Sequence, residues 1–165
     1  MRSTTSRTGS LDTFAEEACA RLGEPVLAAQ QFYPRGYWKT GPLGFGRLGR
    51  ILFGKARLDD RLGQLNVLVV TETRVAVFGV KFSYRSGVTL SGPHGTWQRS
   101  TVTATKKRVK LATGGSTMYG SGNSTPRHEK TFLRLSLQTP DGELGADMSV
   151  GERRTHQVAR ALAGK

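Results

Sequence analysis

The segment Leu65 to Phe82, LNVLVVTETRVAVFGVKF, contains two dense runs of β-branched and apolar residues, Val67 to Val70 and Val75 to Val80. A polar break, Thr71-Glu72-Thr73-Arg74, separates them, and the pattern predicts an antiparallel hairpin. Successive side chains of a strand point to opposite faces. Here both alternating rows are apolar, Val67 and Val69 in one, Leu68 and Val70 in the other. A strand with one wet face would alternate apolar and polar. The hairpin is therefore expected to be covered on both sides by the flanking segments.

On the N-terminal side, Leu11, Phe14, Ala15, Ala18, Cys19 and Leu22 recur at three and four residues, which predicts a helix over Ser10 to Leu22. Ser10 could cap it, or Thr13 with Glu16 as a capping box, and Gly23 and Pro25 end it. Val26 to Tyr33 reads as a first strand, ending at Pro34. After the hairpin, glycines and Pro93 predict a loop over Ser83 to Gly95. Trp97 to Ala104 and Lys107 to Leu111 read as two further strands. Thr131 to Gln138 alternates strictly, Pro140-Asp141-Gly142 is a turn, and Glu143 to Met148 returns. Ser149-Val150-Gly151-Glu152 matches a capping box. It opens a helix to Ala163 with Thr155, Val158, Ala159 and Leu162 on one face, closed by Gly164.

About seven strands between two helices, without strand–helix–strand alternation, argue against a parallel α/β sheet. The expected class is mainly β within α+β: a bent seven-stranded antiparallel sheet or partly open barrel. A C-terminal helix caps it and an extra helix precedes it. Residues 1–9 read as a disordered tail and 10–165 as a single domain. Two stretches interrupt that domain, a basic glycine-rich insert at 35–63 and a flexible loop at 113–128.

Charge adds a functional dimension. Lys and Arg number 25 against 12 Asp and Glu, a net charge of +13, which attracts polyanions at long range. One cysteine, Cys19, excludes an intrachain disulfide, and its place on the apolar helix face suits a small core residue. No apolar run reaches the ~18–20 residues of a membrane-spanning helix. MRSTTSRTGS lacks the apolar core of a secretory signal, so a cytoplasmic protein is expected, peripheral at the inner membrane face if it meets lipid.

Seven antiparallel strands closed by one C-terminal helix resemble the pleckstrin-homology-like (PH-like) fold, in particular its small bacterial members. The pieces that carry the resemblance are NVLVVTETRVAVFG, LRLSLQTPDGEL and ERRTHQVARALAG, and it spans roughly Val26 to Ala163. It implies a binding module for phosphoinositides, proteins or peptides, not an enzyme. Phosphoinositide-binding members carry a lysine, a gap, then Lys/Arg-x-Arg and two apolar residues. Lys39 followed by Arg47-Leu48-Gly49-Arg50-Ile51-Leu52 is close, with one residue too many between the arginines. What that departure leaves is a nonspecific anionic contact.

The insert supplies its residues. Lys39, Arg47, Arg50, Lys55 and Arg57 are the candidate anion- and lipid-binding cations, and Trp38, Phe45 and Phe53 the candidate membrane contacts. Rings enter the headgroup level while cations meet lipid phosphates, so the expected partner is an anionic phospholipid surface. A second basic group, Arg99, Lys106, Lys107, Arg108 and Lys110, could track a nucleic-acid backbone, or protect a sheet edge from aggregation. The alternatives to membrane contact are thus nucleic-acid binding and docking of a protein or peptide.

Catalytic signatures are missing from the sequence. Gly44-Phe45-Gly46-Arg47-Leu48-Gly49 has the spacing of a dinucleotide fingerprint but follows no strand and precedes no suitably placed acid. Arg35-Gly36-Tyr37 opens like an RNA-recognition signature, but Trp38 stands where a small residue is required. His94, His128 and His156 fall in no metal-binding spacing. No catalytic residue, metal or cofactor is expected.

Overall fold

The computed structural model describes residues 8–37, 62–63, 65–85, 87–113 and 128–164, with side chains of 8–12, 112–113 and 128 left aside. Its elements are α1 (Thr8–Leu22), β1 (Val26–Pro34), β2 (Asn66–Thr71), β3 (Arg74–Ser83), β4 (Gly87–Gln98), β5 (Thr103–Thr113), β6 (His128–Thr139), β7 (Gly142–Ser149) and α2 (Arg153–Ala163). The strands form one antiparallel sheet in the order β4-β3-β2-β1-β7-β6-β5. It is open, not a closed barrel, with β4 and β5 at its edges.

β1 joins the two halves. Its residues Val26 to Phe32 pair with β2, and only Tyr33 and Pro34 pair with β7, opposite Asp147 and Ala146. The backbone N–H of Arg35 extends that short ladder by donating to the Gly145 carbonyl at 2.8 Å.

All six residues of β2 are buried, as the two apolar rows require. Leu68 and Val70 face the central core with Val75, Val77, Leu135, Leu137, Leu144 and, from α2, Val158 and Leu162. Val67 and Val69 face the opposite way, with Ala76 and Phe78, into a second core closed by Phe14 and Ala18 of α1. Burying a Val or Leu side chain contributes about 1.5–3 kcal/mol, so a strand dry on both faces anchors the sheet. Gly23 ends α1 with φ +70°, a conformation L side chains disfavour, and its N–H donates to the Cys19 carbonyl at 2.9 Å. Cys19 itself is partly buried.

The structure corrects several boundaries. Thr8 and Gly9, expected in the tail, belong to α1, so Ser10 and Thr13 lie inside the helix and do not cap it. The expected loop over Ser83 to Gly95 is mostly strand β4. Pro93, which lacks an N–H, is tolerated because β4 is an edge strand. The Gly92–Pro93 peptide is cis. Gly95 admits the Trp97 indole, whose Cζ2 would lie 2.2 Å from a Cβ placed there. The two strands expected over Trp97 to Leu111 divide differently: Trp97 and Gln98 end β4, a 3-10 turn covers Arg99–Thr101, and Thr103 onward belongs to one strand, β5.

α2 buries Thr155, Val158 and Leu162, the predicted face. Its expected capping box does not form. Glu152 occupies the N-cap position without a side-chain cap bond, because its carboxylate accepts instead from Gln30 Nε2.

Candidate functional site

In an antiparallel meander the β1–β2 and β3–β4 connections leave the same end of the sheet, and the β2–β3 turn lies at the other. The register fixes that end: Asn66 of β2 lies opposite Gly79, and Val80 N–H donates to the Leu65 carbonyl at 3.2 Å. Beyond this point β3 pairs only with β4, ending at Ser83 opposite Gly87. The β3–β4 hairpin therefore projects past the start of β2.

Its tip is amphipathic. Phe82 continues the outward row Ala76, Phe78, Val80, but the second core ends before it. Phe82 is 72% exposed and Tyr84 fully so. Lys81 and Arg85, both exposed, flank the two rings. Phe82, Ser83, Tyr84, Gly87 and Val88 line a shallow open hollow of about 290 Å³. Large exposed apolar side chains grouped together mark contact surfaces, whereas single ones are ordinary.

The tip is held from behind by α1. The Leu90 N–H donates to Glu17 Oε2 at 3.0 Å, and Arg21 Nη2 donates to the Leu90 carbonyl at 2.9 Å. Glu17 and Arg21 are themselves paired at 2.5 Å, and the Arg21 guanidinium lies 5.9 Å from the Phe78 ring centroid. One helix turn thus satisfies backbone groups of the edge strand just behind the exposed rings.

The insert cations Lys39, Arg47, Arg50, Lys55 and Arg57, with Trp38, Phe45 and Phe53, lie outside the described residues. The positions that bracket them are described. Tyr37 stacks on Tyr33, with ring centroids 5.2 Å apart and planes at 22°, and Leu62 is buried in the central core.

The second basic group divides. Lys106, Lys107, Arg108 and Lys110 are exposed on the edge strand β5. Lys110 lies 3.9 Å from Glu129 with both side chains in solvent, a pair worth little. Arg99 serves the fold instead. Its Nη2 donates to the carbonyls of Ala161 and Gly164, capping the C-terminal end of α2.

Near the opposite end of the sheet, the Thr73 hydroxyl bonds Glu24 at 2.7 Å, the Thr71 hydroxyl does so at 2.7 Å, and Arg74 lies 3.2 Å away. In that order of importance for the hydroxyls and the cation, they hold the Glu24 carboxyl below its ordinary value of 4.5. Among the described residues no group of three or more His, Cys, Asp or Glu side chains could hold a metal ion. No described helix is long and apolar enough to cross a membrane.

No family model, curated protein or solved structure matches this chain. The site therefore rests on its own geometry. The aromatic and cationic residues expected at the contact lie in the insert, and Lys81, Phe82, Tyr84 and Arg85 are not among them. The available signal was two rings bracketed by cations immediately before a Ser-Gly break, KFSYRSG.

Proposed function

We propose that this protein is a non-enzymatic, PH-like binding module that docks on an anionic membrane surface. The two meanders, β1–β4 and β5–β7, joined through β1 and β7, and the C-terminal helix support the PH-like reading. The observation that carries the membrane reading is the exposed pair Phe82 and Tyr84 between Lys81 and Arg85, at the end of the sheet from which the basic insert departs. Aromatic rings favour the headgroup level, and each cation close to an anionic leaflet contributes about 1 kcal/mol. Lys39, Arg47, Arg50, Lys55 and Arg57 would add to that attraction, and Trp38, Phe45 and Phe53 would add rings to the contact. Vesicle flotation of the Phe82→Ala, Tyr84→Ala double variant tests it. Binding to anionic vesicles should fall at unchanged charge; unchanged binding would remove the rings from the contact.

A second reading, nucleic-acid binding, is favoured by one observation: Lys106, Lys107 and Arg108 are exposed along one edge strand with no ion-pair partner among the described residues. It predicts that affinity falls steeply with salt. A flat titration of duplex and single-stranded probes at low salt eliminates it.

A further inference from the structure

Upstream of the Tyr33–Asp147 pair, β1 and β7 separate, and a cleft of about 230 Å³ opens between them. It is smaller than the ~300–1,000 Å³ of pockets for drug-sized molecules. Its walls are the rings of Tyr33 and Phe132 with Leu65, and its polar lining includes Gln30, Ser149, Glu152 and Lys130.

The polar lining is not self-satisfied. Gln30 is 2% exposed, and its Nε2 donates to Glu152, yet its Oε1 has no donor among the described residues. A buried carbonyl oxygen without a donor is uncommon in folded proteins. It is one of the places where a ligand completes the set. Asp147, also in the lining, is already occupied, since both its oxygens accept from Arg134. The unfilled acceptors are thus the buried amide oxygen of Gln30 and the exposed carboxylate of Glu152, which together call for a charged N–H donor. Lys130 bears the opposite charge, with its Nζ 5.7 Å from the Phe132 ring centroid.

We infer that this cleft binds a free α-amino acid with an apolar side chain. The ammonium donates to Gln30 Oε1 and Glu152, the carboxylate pairs with Lys130, and the side chain lies against Tyr33, Phe132 and Leu65. The site is independent of the membrane-facing tip.

The test is titration of the full chain with L-leucine, followed by NMR shifts of the Gln30 side-chain amide and the Ser149 and Phe132 backbone amides. Isopentylamine, which lacks the carboxylate, and 4-methylpentanoate, which lacks the ammonium, serve as controls. Saturable shifts with L-leucine are expected, with each control at least tenfold weaker. Glu152→Gln keeps an acceptor for Gln30 Nε2, so the fold is retained, and it should weaken binding at least tenfold. Lys130→Met, an exposed position, should weaken it as well. Absence of saturable shifts, a control that binds as well as L-leucine, or affinity unaltered by both substitutions would overturn the assignment.

Discussion

Arg134 and Asp147 face each other across β6 and β7 in a two-pronged ion pair, Nε to Oδ1 at 2.6 Å and Nη2 to Oδ2 at 2.9 Å. Asp147 is fully buried, and Tyr33 of β1 lies opposite it in the short ladder that joins the two halves of the sheet. A buried carboxylate left alone is destabilising, whereas an apolar replacement of both partners can be neutral. Arg134→Met should therefore cost about 3 kcal/mol in urea unfolding. The Arg134→Met, Asp147→Leu double variant should recover much of that loss. A single variant as stable as the parent would show that the pair does not hold this junction.

The second core depends on α1. Phe14 is 1% exposed and packs in the core that Val67, Val69 and Phe78 share. Phe14→Ala should lower stability by about 3–5 kcal/mol. Hydrogen exchange should show the amides of α1 losing protection before those of β2. Equal loss in both would mean that helix and sheet unfold together.

Arg99 holds the C-terminal end of α2 through the carbonyls of Ala161 and Gly164. Arg99→Ala should fray the last turn of α2, raising exchange at its final amides, at a cost of about 1 kcal/mol in unfolding. Any change in binding to heparin or nucleic acid should stay smaller than that of Lys107→Ala. The reverse ranking would return Arg99 to the binding surface.

Glu24 gives stability a pH dependence of known sign. Its folded carboxyl titrates below the ordinary 4.5, through the Thr73 and Thr71 hydroxyls and then Arg74. Such a group stabilises the fold fully above the unfolded pKa, and the contribution fades as pH falls through the folded pKa. The stability gap between parent and Glu24→Gln should therefore be larger at neutral pH than near about pH 3. A gap that widens in acid contradicts the assignment.

Much of the fold was legible because its strongest signals are local. Two apolar rows in Val67 to Val70 demanded cover on both faces, and α1 and the central core supply it. The Pro-Asp-Gly turn and the apolar face of α2 were equally direct. What escaped depends on partners distant in sequence. Pro93 and its neighbouring glycines read as a loop, because nothing local reveals that the strand carrying them lies at an edge. Glu152 matched a capping box, but its carboxylate is drawn to Gln30, on another element. Arg99 counted as one more cation until the carbonyls of Ala161 and Gly164 met it. The tip rings were missed for the same reason: Phe82 closes an apolar row that looks buried, and only the extent of α1 shows that the cover stops short of it.

The most direct measurement is co-sedimentation of the full chain with neutral vesicles and with vesicles containing anionic lipid, at low and at physiological salt. Binding to the anionic vesicles alone is expected, strongest at low salt, where charges are least screened. That binding should persist at physiological salt and weaken when Phe82 and Tyr84 are replaced by Ala. Failure to bind anionic vesicles at low salt would contradict the membrane reading.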